Sequence, residues 1–165
     1  MSASAAEPFG PVQRIAAGVL DVGYVDVGPP GGRAALLLHG WPYDIHSYAE
    51  VAPPLAAAGY RVLVPYLRGY SATRFRSDHT TGNGQQSVLA VDAIALMDAL
   101  GVDEAIVAGF DWGAQLADDR GHLPAGAAAR DHNRGRGHGP DLPTQATQCK
   151  HCRCGRMTRR EPMVG

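Results

Sequence analysis

Ala105-Ile-Val-Ala-Gly-Phe-Asp-Trp-Gly113 decides how this chain reads. Ala105 to Ala108 is an apolar run with no polar break, as a strand buried on both faces requires. Gly109-x-Asp111-x-Gly113 follows at once. A chain that passes from a buried strand into a helix within so few residues must strain its central residue. Small residues on either side keep the neighbouring strands and the new helix clear of it. Asp111 then projects at the C-terminal edge of the sheet, where open α/β sheets bind ligands. The N-terminus of the new helix lies beside it and favours an anion.

The residue type at this elbow selects the chemistry. Serine or cysteine would suit acyl transfer. An aspartate with an ordinary pKa of about 3.9 is already ionised at neutral pH and needs no base to attack. It suits displacement at a saturated carbon bearing an epoxide oxygen or a halide. The product is an alkyl ester of Asp111, which a histidine-activated water must then hydrolyse. No cofactor and no metal is called for.

Working back from the elbow, Ala34 to Leu38 is a second buried run and Arg61 to Pro65 a third. Val19 to Val27 alternates apolar with polar residues and ends at Gly28-Pro-Pro-Gly-Gly32, an antiparallel strand and a turn. Ser47-Tyr-Ala-Glu50 fits a capping box and predicts a helix to about Ala58, with Gly59 as its C-cap. Pro53-Pro54 falls inside that helix, so the helix either starts after the box or is kinked. From Gln85, apolar residues at Val88, Val91, Ile94, Met97 and Leu100 predict the stripe of a second amphipathic helix, ended by Gly101. Buried strands alternating with helices imply an α/β fold with a mostly parallel sheet and flanking helices.

His39-Gly-Trp-Pro42 follows the second buried run. The backbone N–H groups of Trp41 and Trp112 are placed to converge as an oxyanion hole. Their indole N–H groups are donor-only and suit a leaving halide. Arg68 reads as a structural ion-pairing or capping residue.

Taken in order, His39-Gly-Trp-Pro42, Arg68-Gly-Tyr70 and Gly109-Phe-Asp-Trp-Gly113 resemble the epoxide hydrolase and haloalkane dehalogenase branch of the α/β-hydrolase fold. The resemblance covers about residues 19 to 117. It implies Asp111 as the nucleophile, Trp41 and Trp112 at the oxyanion or halide site, and His39 as a structural residue of the oxyanion turn. It implies a small hydrophobic substrate. Members often carry Asp where Tyr66 stands and Gly where Ser71 stands. They also need a downstream acid, a later histidine and a helical cap with tyrosines that activate the ring oxygen; this chain has no Tyr after residue 70.

The 165 residues carry a net charge of −1, which predicts no global attraction to nucleic acid or to an anionic membrane. No apolar run approaches the roughly 20 residues that span a bilayer. The first residues have neither a basic start nor an apolar core, so they predict no secretory signal and a cytoplasmic location. Residues 1–18 read as a flexible lead-in.

Composition breaks near residue 117. All eleven aromatics precede it. The 48 residues after it hold eight of the Arg, the only Lys and all three Cys. Such a segment buries too little apolar surface to offset chain entropy, so 118–165 predicts a low-order basic tail. Its composition is what GC-rich DNA yields in a shifted frame, with the frame lost between Gly113 and Ala117. Translating the other two frames past codon 113 tests this; a frame with no helix, strands or late histidine refutes it. His122, His132, His138 and His151 follow no predicted strand and are not assigned to catalysis. Cys149-Lys-His-Cys152-Arg-Cys154 packs three thiols and a histidine too tightly for a tetrahedral zinc site and reads as a fortuitous thiol cluster.

Three readings follow. One is a hydrolase of epoxides or haloalkanes, truncated and inactive in this chain. Another is a catalytically dead α/β fragment that acts as a binding module through its basic tail. The last is a nucleophile half completed by another chain. With nothing on its far side, Ala105–Ala108 predicts an open sheet edge and poor solubility.

Overall fold

The computed structural model describes residues 9–80, 82–118 and 152–158. One sheet organises them. Its strands are β1 (Gln13–Ala17), β2 (Leu20–Val27), β3 (Arg33–Leu38), β4 (Tyr60–Pro65), β5 (Arg74–Phe75), β6 (Glu104–Phe110) and β7 (Cys152–Thr158). The order is β1-β2-β4-β3-β6-β7, with β5 paired to β2. The centre, β4-β3-β6, is parallel, as the strand–helix alternation predicts; the pairs outside it are antiparallel.

Strand periodicity divides the core. Leu36, Leu38, Leu63 and Val107 face one side, where helix α2 (Gln86–Ala99) contributes Leu89, Ala90, Ala93, Leu96 and Met97. Leu37, Val62 and Val64 face the other, against Ile45, Tyr48 and Ala52. Successive residues on a strand point to opposite faces, so an unbroken apolar run is needed to supply both layers.

Several expectations change. Residues 13–17, read as lead-in, form β1, which a tight turn at Gly18-Val19 folds back onto β2 in register from Ala17↔Leu20 to Gln13↔Tyr24. The capping box does not start a helix. Asp44 caps a short 3-10 turn, Ile45–Tyr48, by accepting from the His46 N–H at 2.9 Å. Helix α1 starts only at Ala52 and runs to Ala57, with Pro53 and Pro54 in its first turn. There a missing N–H leaves no helical bond unmade. The predicted stripe of α2 is also off: Met97 is buried but Val91 is 47% exposed. A strict three-residue spacing rotates about 60° per step around a helix of 3.6 residues per turn, so it cannot stay on one face. The buried residues instead follow the three-to-four rhythm.

The far edge of β6 is not open. β7 pairs with it antiparallel from Glu104↔Thr158 to Phe110↔Cys152. A bare strand edge offers a row of N–H and C=O groups whose pairing demands little of side-chain identity, so a segment poor in apolar residues is able to fill it. The remainder of the tail, with its four histidines and Cys149, lies outside the described residues.

Candidate active site

β6 delivers Asp111 to the sheet edge, and α3 (Trp112–Asp118) begins directly after it. Asp111 has φ +52°, in the left-handed region that a residue with a Cβ enters at a cost. The surrounding glycines fix the elbow by close approach. A Cβ on Gly113 would fall on the carbonyl oxygen of Leu38, and one on Gly109 would lie 2.5 Å from the Gly113 carbonyl carbon. The elbow is therefore packed backbone-on-backbone against the end of β3.

Gly40 closes it from the other side. A Cβ there would stand 2.5 Å from the Asp111 Cβ and 3.0 Å from its Oδ1. This approach lets the Trp41 N–H donate to Asp111 Oδ1 at 2.9 Å. The peptide from Trp41 to Pro42 is cis. One predicted oxyanion donor thus already holds one carboxylate oxygen of the predicted nucleophile. The Trp41 side chain is 68% exposed and that of Trp112 39%, so neither indole is a core aromatic.

His39 is fully buried. Its Nε2 accepts from the Leu67 N–H at 3.1 Å, which leaves the ring proton on Nδ1, 3.3 Å from the Gly40 carbonyl. Burial lowers its pKa, and hydrogen bonding to the Gly40 carbonyl only partly opposes this. A neutral imidazole with both nitrogens engaged ties the end of β3 to the end of β4. The Tyr70 ring stands edge-on to it at 4.6 Å. Burial raises the Tyr70 pKa, and the negative charge of Asp111 raises it further.

Arg68 pairs with Asp92 through two bonds of 2.5 and 2.6 Å, with both side chains largely buried. Its Nη1 donates to the Asn83 carbonyl at 2.9 Å, and its guanidinium lies over Phe75. It anchors the loop after β4 to α2, in agreement with its structural reading.

Sequence reasoning missed the cavity beside the elbow. It measures about 700 Å³ and is lined by Pro42, Tyr43, Asp44, His46, Ser47 and Phe110. Tyr43 and Phe110 meet edge-on at 6.0 Å. Burial alone would raise the Asp44 pKa, but hydrogen bonds from the His46 backbone and ring outweigh it and hold the carboxyl below its usual range. Asp44 two residues before His46 was a legible cap signal; Phe110 as a cavity wall was not. Among the described residues, no cluster of His, Cys, Asp and Glu is arranged to hold a metal ion. No helix there is long and apolar enough to cross a membrane.

Comparison with known proteins places this geometry. The family model for the alpha/beta hydrolase fold matches residues 35–117. Epoxide hydrolase A of Mycobacterium tuberculosis is 37% identical over 90 residues, covering 54% of this chain and 27% of that protein. A haloalkane dehalogenase of Mycobacterium marinum is 38% identical over 95 residues, covering 56% and 31%. The crystal structure of a candidate epoxide hydrolase from Klebsiella pneumoniae superposes with a TM-score of 0.67 at 59% identity, covering 70% of this chain and 38% of that one. The chain thus spans about a quarter to a third of the length of these curated relatives. It belongs to the α/β-hydrolase fold family, and these relatives are epoxide hydrolases and a haloalkane dehalogenase.

Proposed function

We propose that Asp111 is the nucleophile of an alkyl-transfer site that opens small apolar epoxides or displaces halide from small haloalkanes, forming a covalent ester. The observation that carries this reading is the Trp41 N–H on Asp111 Oδ1 at 2.9 Å, at an elbow held at φ +52°. With Oδ1 anchored, Oδ2 is the attacking atom. Its lone pair forms the O–C bond as the carbon's bond to oxygen or halide breaks. Oδ1 becomes the ester carbonyl oxygen, already beside the donor that would stabilise it as an oxyanion when water attacks. Trp112, first in α3, is assigned the second backbone donor, and the two exposed indoles the substrate or halide contact.

Release of the ester requires an activated water. His39 is not its base, because both ring nitrogens are engaged in the fold. The chain is therefore assigned ester formation without sustained turnover, acting on a small apolar molecule in the cytoplasm. Incubation with an excess of a terminal epoxide or an alkyl bromide, acid quench and intact-mass analysis tests this. One adduct per chain is expected, mapping to Asp111 and absent from Asp111→Ala. An adduct that persists in Asp111→Ala, or steady multiple turnovers in the wild type, overturns the corresponding half of the proposal.

A further inference from the structure

We infer that the cavity beside the elbow binds an organic ammonium group, a cation carried on an apolar body such as an alkylated amine. Asp111 is not among its walls, so this inference does not rest on the nucleophile reading. At about 700 Å³ the cavity has room for a small organic molecule. Its walls are of two kinds. Pro42, Tyr43 and Phe110 offer apolar surface, and Asp44, His46 and Ser47 carry the polar groups.

Charge on the wall selects the sign of the ligand. Asp44 is an ionised carboxylate, and no Lys or Arg lines the cavity to balance it. It is fixed in place as the cap of the 3-10 turn Ile45–Tyr48. The bonds it accepts, from the His46 N–H and from the His46 ring at 2.9 Å, both end on Oδ1. Oδ2 is left without a partner among the described residues. A half-buried carboxylate with one oxygen open attracts a cation and repels an anion.

The apolar wall narrows the class of cation. Tyr43 and Phe110 meet at 6.0 Å with their ring planes inclined at 67°, which makes an aromatic corner rather than a flat stack. The negative π faces of such rings attract ammonium ions, and quaternary ones best fit an aromatic surface. Tyr43 is 60% exposed, so a ligand reaches its ring without displacing other side chains. A metal ion fits poorly: it asks for three or more protein ligands, and the described residues hold no such cluster. A neutral apolar molecule would strip water from Asp44 and return nothing for it.

The test titrates choline against its neutral isostere, 3,3-dimethylbutan-1-ol, and follows the amide shifts of the isotope-labelled full chain by NMR at low salt. Choline is expected to bind about tenfold tighter, from one ion pair and one cation–π contact of roughly threefold each. The shifts should centre on residues 42–47 and 110. Asp44→Asn keeps an acceptor for the His46 N–H, and with it the cap, and should cut the preference to about threefold. Tyr43→Leu keeps the wall apolar, removes the π face and should cut it by a similar factor. No choline binding, equal affinity for the two ligands, shifts centred elsewhere, or an undiminished preference in either variant overturns the inference. The wild-type comparison decides it alone where a variant does not fold.

Discussion

Acidification should destabilise this fold through His39 before any carboxylate titrates. An unfolded histidine has a pKa near 6.5. In the folded chain burial lowers it, because the ring is fully enclosed and its Nε2 is committed as an acceptor from Leu67. Between those two values the unfolded state binds more protons, so stability rises with pH in that window and is lost as pH falls below 6.5. Above 6.5 the group is neutral in both states and contributes no slope. Within the window the loss is about 1.4 kcal/mol per pH unit. Asp44, also held low, adds its own loss only below the carboxylate range, as that group protonates. Urea unfolding at intervals from pH 8 to pH 5 measures this, comparing wild type with His39→Gln, whose side-chain oxygen retains an acceptor for Leu67 without titrating. The wild-type midpoint should fall below pH 6.5 and the His39→Gln midpoint should hold more nearly level. Identical slopes in the two proteins would refute the reasoning. His39→Leu, which leaves the Leu67 N–H unsatisfied, should cost about 1–3 kcal/mol above pH 6.5, a deficit that narrows below it as the wild type loses stability.

Four further outcomes are expected. Arg68→Met strands a largely buried Asp92 and should cost about 3–5 kcal/mol by urea unfolding, while Arg68→Met with Asp92→Leu recovers most of that loss. Ser71, at φ +33°, is strained, so Ser71→Gly should stabilise the fold by about 0.5–1 kcal/mol despite glycine's entropy, read as a raised urea midpoint. Gly40→Ala pushes a methyl into Asp111 and the Phe110 carbonyl; it should cost about 1–3 kcal/mol and abolish the adduct, both checked on one preparation. Amides of residues 152–158 should be protected in hydrogen exchange, and exchange at the unstructured rate would remove β7 from the sheet.

The parallel centre was legible because β3 and β4 bury both faces and β6 buries one and half-buries the other, which calls for unbroken apolar runs. The elbow was legible for a similar reason. Gly109, Gly113 and Gly40 each face backbone atoms within van der Waals contact, and such crowding leaves a spacing in the sequence. β1 was not, since Gln13 and Arg14 are exposed and its pairing depends on a turn two residues long. The capping box misled because Ser47 and Asp44 both carry cap chemistry and only the downstream prolines decide which turn becomes the helix. The cavity was beyond reach because its wall joins Tyr43 to Phe110 across 67 positions, a contact set by the β3–β6 register rather than by any local pattern.

What shapes Asp111 bears on how such sites can be divided. Its strained φ, its Oδ1 contact and the crowding that fixes both come from Leu38, Gly40, Trp41, Gly109 and Gly113, on two adjacent parallel strands and their exits. The supports under those exits, His39 on Leu67 and Arg68 on Asp92, also lie before residue 93. The contacts that shape Asp111 are thus made within residues 38–113, while β7 pairs with the far edge of the strand that leads to it. On the proposed reading, adduct formation at Asp111 should survive substitutions outside 152–158 in the tail that leave the urea midpoint unchanged. Tail substitutions that abolish the Asp111 adduct while leaving the urea midpoint intact would show that the site is not assembled by its first half alone.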